Sequence, residues 1–476
     1  MPEPAGALPG EFLDRCAAII GRDRVVDDPA ARASYEVDFW RQLSGRAALV
    51  LRPRTVAEVA ALVAAAAEER VPLVPQGGNT GLVGGGIPDR SGRQVVLSLA
   101  GLDRIRTVDP RGEWLVAEAG CTLAAVQAAA AAAGRLFPLS LGSEGTCRIG
   151  GNLATNAGGI NVIRYGMARE LVLGLEVVLA DGRVWNGLRS LRKNNTGYDL
   201  KQLFLGSEGG LGIITAASLR LFAPPRERVT LLAAVAAPEQ AVRLLTHGRD
   251  RFGELVSSFE LMAGGCVAAA VAHLPGVRQP LAAAAPWYVL GEIAWSLTEG
   301  LATAVEAWLA EALEGELVLD ATIAASEGQR AMLWRMREEM SLAMRELGPI
   351  VRNDVSVPVG GIPDLIGRAE DMVAALVPGA RLLPFGHVGD GNLHLNIVLP
   401  AEADPVTAGA RLRAAIEDLV AALAGAISAE HGIGRLKVAA LARHKTPVEL
   451  ELMRRLKAAL DPAGILNPGV ILAEVP

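Results

Sequence analysis

Aromatic side chains make up only 4% of this 476-residue chain, and it has just four cysteines and six histidines. Cys16, Cys121, Cys147 and Cys266 are scattered with no CxxC pair, which argues against a zinc-finger or iron–sulfur framework and fits a reducing compartment. Basic residues form no stripe and the formal net charge is −6, so nucleic acid is not an expected partner. Long apolar runs are missing too. Mean hydropathy is +0.31, but much of this is alanine. The richest stretch, Ala124 to Ala133, is broken by Val126 and Gln127 and lacks the length and bulk of a membrane span. Met1-Pro2-Glu3-Pro4 shows no basic segment followed by an apolar run, so no secretory signal is expected. The expected location is cytoplasmic, with peripheral membrane association and a homodimer both admitted.

The length exceeds what one core usually supports, so two or more domains are expected. Ala47 to Leu51 reads as a strand ending at Arg52-Pro53. Val56 to Glu69 reads as a helix capped by Thr55. Strands follow at Val95 to Leu99 and Trp114 to Ala119, then an alanine-rich helix from Leu123 that Gly134 stops. Further strands are expected at Val172 to Leu179 and Gly212 to Leu221. Pro224-Pro225 marks a boundary. Beyond it, strands at Val229 to Val235 and Trp287 to Ala294 alternate with helices around Glu239 to Leu245 and at Leu301 to Leu313, as in a lid or substrate domain. Leu393 to Leu399 reads as a strand with His394 and Asn396 on one face. A helix from Arg411 to Ser428 would deliver Glu430 and His431 just past its end.

Glycine is plentiful where the chain could cradle an anion. Six glycines lie between Gly77 and Gly86 in PQGGNTGLVGGG, from Pro75 onward, and Asn79 and Thr80 could add side-chain donors. The spacing is neither GxGxxG nor GxxxxGK[ST], so neither the Rossmann nor the Walker loop is supported. A lone cluster of this kind could be a flexible turn. Two more clusters, Leu141 to Gly159 and Leu205 to Gly212, weaken that alternative.

Three of the six histidines fall in GHVGDGNLHLN, from Gly386, and EHGIG, from Glu430. His387 and His394 flank a glycine-rich turn that can bring both rings to one ion, and Glu430-His431 adds a carboxylate and a third imidazole. Each histidine alone could equally be structural. Together they suit Zn²⁺, Mn²⁺ or Co²⁺, with open positions for a chelating hydroxyacid and a neighbouring base.

These segments, with GGNLATNAGG from Gly150, GYDL from Gly197 and LFLGSEGGLGIIT from Leu203, closely resemble the FAD-linked D-2-hydroxyacid dehydrogenases of the vanillyl-alcohol-oxidase fold, in particular the D-2-hydroxyglutarate dehydrogenases. The resemblance spans nearly the whole chain. It implies an α+β, PCMH-type FAD-binding fold with an inserted α/β substrate domain. The expected division is 1–225 for FAD binding, 226–425 for substrate and metal, and 426–476 returning to the first domain.

Carried over residue by residue, the resemblance implies non-covalent FAD held by Pro75, Gly77, Gly78, Asn79, Thr80, Gly81, Ser143, Gly151, Thr155, Asn156, Gly158, Ile213 and Asn467. It makes His387, His394 and Glu430 the metal ligands and His431 the base. Arg337, Ser341, Arg352 and Asn396 would meet the substrate. Two departures stand out: Gly210 where many relatives have threonine, and Arg352 where they often have lysine, which trades a compact charge for a planar fork. The implied reaction oxidises a D-2-hydroxyacid, first D-2-hydroxyglutarate and second D-lactate or glycolate. Electrons would pass to an external acceptor such as an electron-transfer flavoprotein or a quinone or cytochrome pool. A flavin-dependent ether-lipid synthase and a non-catalytic FAD subunit are the competing readings.

Overall fold

The computed structural model describes residues 10–296 and 299–474. The opening Met1 to Pro4, read above for a signal, lies outside the described residues. The chain forms two compact units. Of the described residues, one comprises 10–158, 167–223 and 430–474; the other comprises 159–166, 224–296 and 299–429. The short segment 159–166 therefore belongs with the second unit, which the expected division at 225 does not separate.

The first unit holds two sheets. In the smaller, parallel strands Leu49–Leu51, Val95–Ser98 and Leu73–Gln76 lie side by side, with Val25–Val26 antiparallel at one edge. Helix Val56–Glu69 is fixed at its start by a reciprocal cap, Thr55 accepting from the Glu58 backbone and Glu58 reaching back. It buries Val59, Leu62 and Val63 in the same core as Leu49, Leu73 and Val95. The larger sheet is antiparallel, ordered Ile105–Asp109, Trp114–Glu118, Ile213–Arg220, Val172–Val178, Val184–Gly187. Inside it, Arg106 pairs with both Glu118, at 3.0 Å, and Glu176, at 2.9 Å.

The second unit is built on one eight-stranded sheet. Its central strands, Glu227–Val235, Trp287–Trp295, Val256–Ala263, Arg381–His387 and Asn392–Val398, neighbour one another in that order and are antiparallel. Helices cover both faces, so the strands read as nearly unbroken apolar runs. The two-residue period still sorts them: Leu231, Ala233 and Val235 enter one core, while Leu232 and Ala234 enter the other.

One helix ends early. Pro405–Ala422 stops six residues short of the expected Ser428, because Ala426 leaves the helix to exchange backbone hydrogen bonds with Ser356. All four cysteines are buried free thiols. Burial pushes Cys16 and Cys266 up to about 12, which leaves them inert. Among the described residues, no helix is long and apolar enough to cross a membrane.

Candidate active site

In the first unit the glycine loop lines a cavity of about 940 Å³, counting its open mouth. Gln76 closes the neck of the loop, its amide nitrogen donating to Gly86 O at 2.7 Å and Tyr35 O at 3.0 Å. Nine of the expected cofactor residues reach the wall: Pro75, Gly77, Gly78, Asn79, Thr80, Gly81, Gly151, Thr155 and Ile213. The glycines do two jobs. A Cβ on Gly81 or Gly151 would meet nothing within 4 Å, so these backbones face free space that a bound group could enter closely. At Gly78 a Cβ would lie 2.1 Å from Thr146 O, so the loop itself requires glycine there. Arg148 adds a cation to the wall, and its Nε is buried without a hydrogen-bond partner. Backbone amides, open glycines and an arginine fit a dinucleotide pyrophosphate.

Four expected cofactor residues are absent from this wall. Asn156 instead accepts the Arg169 N–H at 3.0 Å. Ser143 O accepts the Thr146 and Cys147 N–H groups in a tight turn, and Gly158 is buried. Asn467 donates to Gly85 O at 2.9 Å and Glu208 O at 2.7 Å, with its own Oδ1 buried and unbonded. At Asn79 the expected side-chain donor is spent elsewhere. Its Nδ2 donates to Ser34 O and Val37 O, so only its backbone, at φ 53°, remains for a ligand.

Sequence reasoning missed Glu208. This buried carboxylate accepts the N–H groups of Ile433 and Gly434, each at 2.8 Å. It thereby shapes the EHGIG turn and sets His431 in the cavity wall. Burial pushes its pKa up, against the pull of the two N–H groups and Lys437. The glycines of GSEGGLG hid a residue whose partners lie 225 and 226 positions away.

In the second unit one sheet face carries a polar stripe. Glu292, Glu260, His387, His394 and Asn396 share strand parity with the core residues Leu290, Met262, Phe385 and Val398. Helix Glu327–Glu338 contributes Leu333, Trp334 and Met336 to that core. Its Arg330 and Trp334 donate to Glu292 at 3.0 and 3.2 Å.

At Glu260 each carboxylate oxygen has its own partner, Arg337 Nε at 2.6 Å and His387 Nδ1 at 2.5 Å. Burial pushes this carboxyl up, but Arg337 and His387 outweigh it and hold it down at about 2. The Arg337 guanidinium also lies 4.7 Å from the centroid of the Phe385 ring. Ser341, in the short helix Met340–Ala343, is half-buried, and Asn396 is buried. Arg352 sits just after strand Ile350–Val351, where burial and then the like charge of Arg345 lower its pKa.

The expected metal ligands meet an additional carboxylate. Asp354 opposes His394 in register, with Oδ1 3.7 Å from the ring Nδ1. Its oxygens accept from Asn392 Nδ2 at 2.9 Å and from the Ala429 N–H at 3.1 Å. The chain thus passes directly beside this carboxylate before Glu430 and His431 follow. In the first unit Glu430 and His431 supply a second such couple, with His431 Nε2 3.8 Å from Glu430 Oε1. Imidazole and carboxylate are the ligand types that suit a borderline divalent ion. The His387 ring centroid lies 5.9 Å from that of His394.

Comparison with known proteins bears on the family, the fold and the cofactor. Residues 47–187 match the model of the FAD binding domain, and 224–471 that of the C-terminal domain of FAD linked oxidases. The D-2-hydroxyglutarate dehydrogenase of Bos taurus is 42% identical over 448 residues, 94% of this chain and 80% of the bovine protein. A probable D-2-hydroxyglutarate dehydrogenase of Oryza sativa subsp. japonica is 38% identical over 460 residues, 96% of this chain and 81% of the rice protein. Among solved structures, p-cresol methylhydroxylase superposes with a TM-score of 0.77 at 16% identity, covering 99% of this chain and 98% of that one. That likeness speaks for the fold alone. The cytoplasmic expectation is corrected here, since the animal and plant relatives of this name are mitochondrial proteins. The missing leader pattern at Met1 to Pro4 was too slight a basis for a location. With a glycine cradle suited to a dinucleotide and a cation-bearing sheet face, the chain belongs to the FAD-dependent D-2-hydroxyacid dehydrogenases of the vanillyl-alcohol-oxidase fold, the family of the D-2-hydroxyglutarate dehydrogenases.

Proposed function

We propose that the protein oxidises D-2-hydroxyglutarate to 2-oxoglutarate with the help of a divalent metal ion. When bound, FAD supplies the hydride acceptor and the cation supplies Lewis acidity that makes the substrate hydroxyl easier to deprotonate. The observation that carries the reading is His431, a residue of the cofactor-cavity wall whose Nε2 lies 3.8 Å from Glu430 Oε1. A base there can take the hydroxyl proton at a ring nitrogen. His394 and Glu430 would hold the metal, with His387 joining through Nε2 because Glu260 occupies its Nδ1. Asp354 already accepts two N–H groups and is better placed to orient His394 than to act as a primary ligand.

The preference for a dicarboxylic acid over D-lactate rests on Arg337 and Arg352. Arg337 has its Nε edge fixed by Glu260, leaving a bidentate edge for one carboxylate. Arg352 is a second cation whose proton is disfavoured by burial and by Arg345, and a distal carboxylate would offset both. Ser341 and Asn396 add neutral donors. Electrons leave to an external acceptor, an electron-transfer flavoprotein or a quinone or cytochrome pool. A homodimer remains part of this reading.

The test is anaerobic bleaching of the yellow protein by D-2-hydroxyglutarate, its L enantiomer and D-lactate, before and after chelation. Fast bleaching by the first acid alone, lost on chelation and restored by Zn²⁺, Mn²⁺ or Co²⁺, is expected. Faster bleaching by D-lactate would move the assignment to that acid. Chelation without effect would remove the metal from the reading.

A further inference from the structure

We propose that Glu260 is a positioning residue that fixes His387 as the Nδ1–H tautomer, with its lone pair on Nε2, and pins Arg337 by Nε so that its two Nη nitrogens form the anion-binding edge. The inference deepens the function proposed above, in which His387 serves the metal and Arg337 a substrate carboxylate.

Glu260 lies mid-strand, fully buried, directly opposite His387 in register. An ionised carboxylate only accepts hydrogen bonds, so the proton shared at 2.5 Å must belong to Nδ1, and only Nε2 is left with a lone pair. The other oxygen takes the Nε of Arg337 at 2.6 Å, and the Phe385 ring fixes the guanidinium plane from below. Stability alone does not explain the arrangement, because well-packed apolar groups commonly serve as well as a buried ion pair. Orientation does. A carboxylate behind a ligating imidazole fixes its tautomer and strengthens its lone pair, and one behind an arginine selects which edge remains for an anion.

The variant that separates these roles is Glu260→Gln. Arg337 Nε can only donate and therefore takes the amide oxygen. The amide NH₂ then faces His387 and donates to Nδ1, which moves the ring proton to Nε2. The readout is the ¹⁵N spectrum of His387 in metal-free, FAD-loaded protein near about pH 8, where an unperturbed imidazole is neutral. The His387→Gln variant assigns the signal. Wild type should show a protonated Nδ1 and an unprotonated Nε2, and Glu260→Gln the reverse. Zn²⁺ affinity of the variant should fall by about 10–100-fold, with KM for the hydroxyacid raised and flavin content kept. Glu260→Asp, which keeps the charge, should retain the wild-type tautomer.

A wild-type spectrum with a proton on Nε2 overturns the proposal. A variant that melts lower with tautomer and Zn²⁺ affinity unchanged also overturns it, by leaving Glu260 a purely structural role. If the tautomer switches but wild type binds no metal, the proposed function fails while this inference stands.

Discussion

In the cofactor cradle polarity comes from the backbone, through open glycines, a turn held by N–H groups and a single arginine in the wall. On the substrate-side sheet face it comes from side chains planted in apolar strands, each carboxylate matched to a named cation or imidazole. Their buried carboxylates show the difference. Glu208 in the cradle is answered mainly by two backbone N–H groups, and burial leaves its pKa raised. Glu260 on the sheet is more deeply buried still, but Arg337 and His387 reverse the sign. Backbone polarity binds whatever is anionic and the right shape, whereas side-chain polarity fixes protonation and direction. One region suits holding a cofactor and the other suits aiming a substrate.

The cradle should break first, and through steric filling alone. Gly151→Val adds a side chain where the first carbon meets nothing within 4 Å, so the unit should fold while the new methyls occupy cofactor space. Overpacking of this kind costs about 1–3 kcal/mol, which corresponds to roughly 5–150-fold weaker FAD binding. Titrating apoprotein with FAD measures it, and the melting curve without FAD should match wild type. Gly78→Ala is the contrast, because its Cβ would collide with the Thr146 carbonyl. It should lower the melting point of the apoprotein as well. Equal behaviour of the two variants would erase the distinction between a glycine that makes room for a ligand and one that permits the loop.

How much of this was legible in the sequence follows the same division. The cradle announced itself, because a backbone site demands glycine at consecutive positions. Helix Val56–Glu69 and its Thr55 cap were equally plain, since capping is local. The shared face of His394 and Asn396 followed from the strand period. The partners were hidden. Glu260 reads as one polar residue in an apolar strand, and its contacts with Arg337 and His387 span 77 and 127 positions. The place of Asp354 opposite His394 depends on strand register, which no local pattern fixes. Asn79 and Asn156 misled for the opposite reason. Their amide side chains are consumed by neighbouring backbone groups, Ser34 and Val37 in one case and Arg169 in the other, and no local pattern reveals that.

A second break falls on the sheet face. Arg337→Met keeps much of the volume on Phe385 but strands Glu260 as a buried charge with one partner fewer. Breaking such a pair costs about 3–5 kcal/mol, and the melting midpoint should drop accordingly. Adding Glu260→Gln should recover much of the loss, because a neutral amide needs no cation. If the double variant is no better than the single, the pair is not the reason for the drop.

The smallest effect sharpens the comparison most, because it depends on sign. Glu260, held at about 2 against an ordinary 4.5, contributes stability that is complete above about 4.5 and disappears as pH falls toward about 2. Replacing it with glutamine removes that titration, so the gap between wild type and Glu260→Gln should widen as pH rises through this window. Glu208 has a raised pKa, so its contribution is complete below 4.5 and fades as pH rises through the folded value. The gap between wild type and Glu208→Gln should therefore narrow with rising pH. A change near 1 kcal/mol would move the melting midpoint by roughly 2–4 °C for a unit of this size, within reach of melting curves from acid to neutral pH. Parallel slopes would mean that the two carboxylates share one kind of environment, and that the contrast between backbone and side-chain polarity does not govern them.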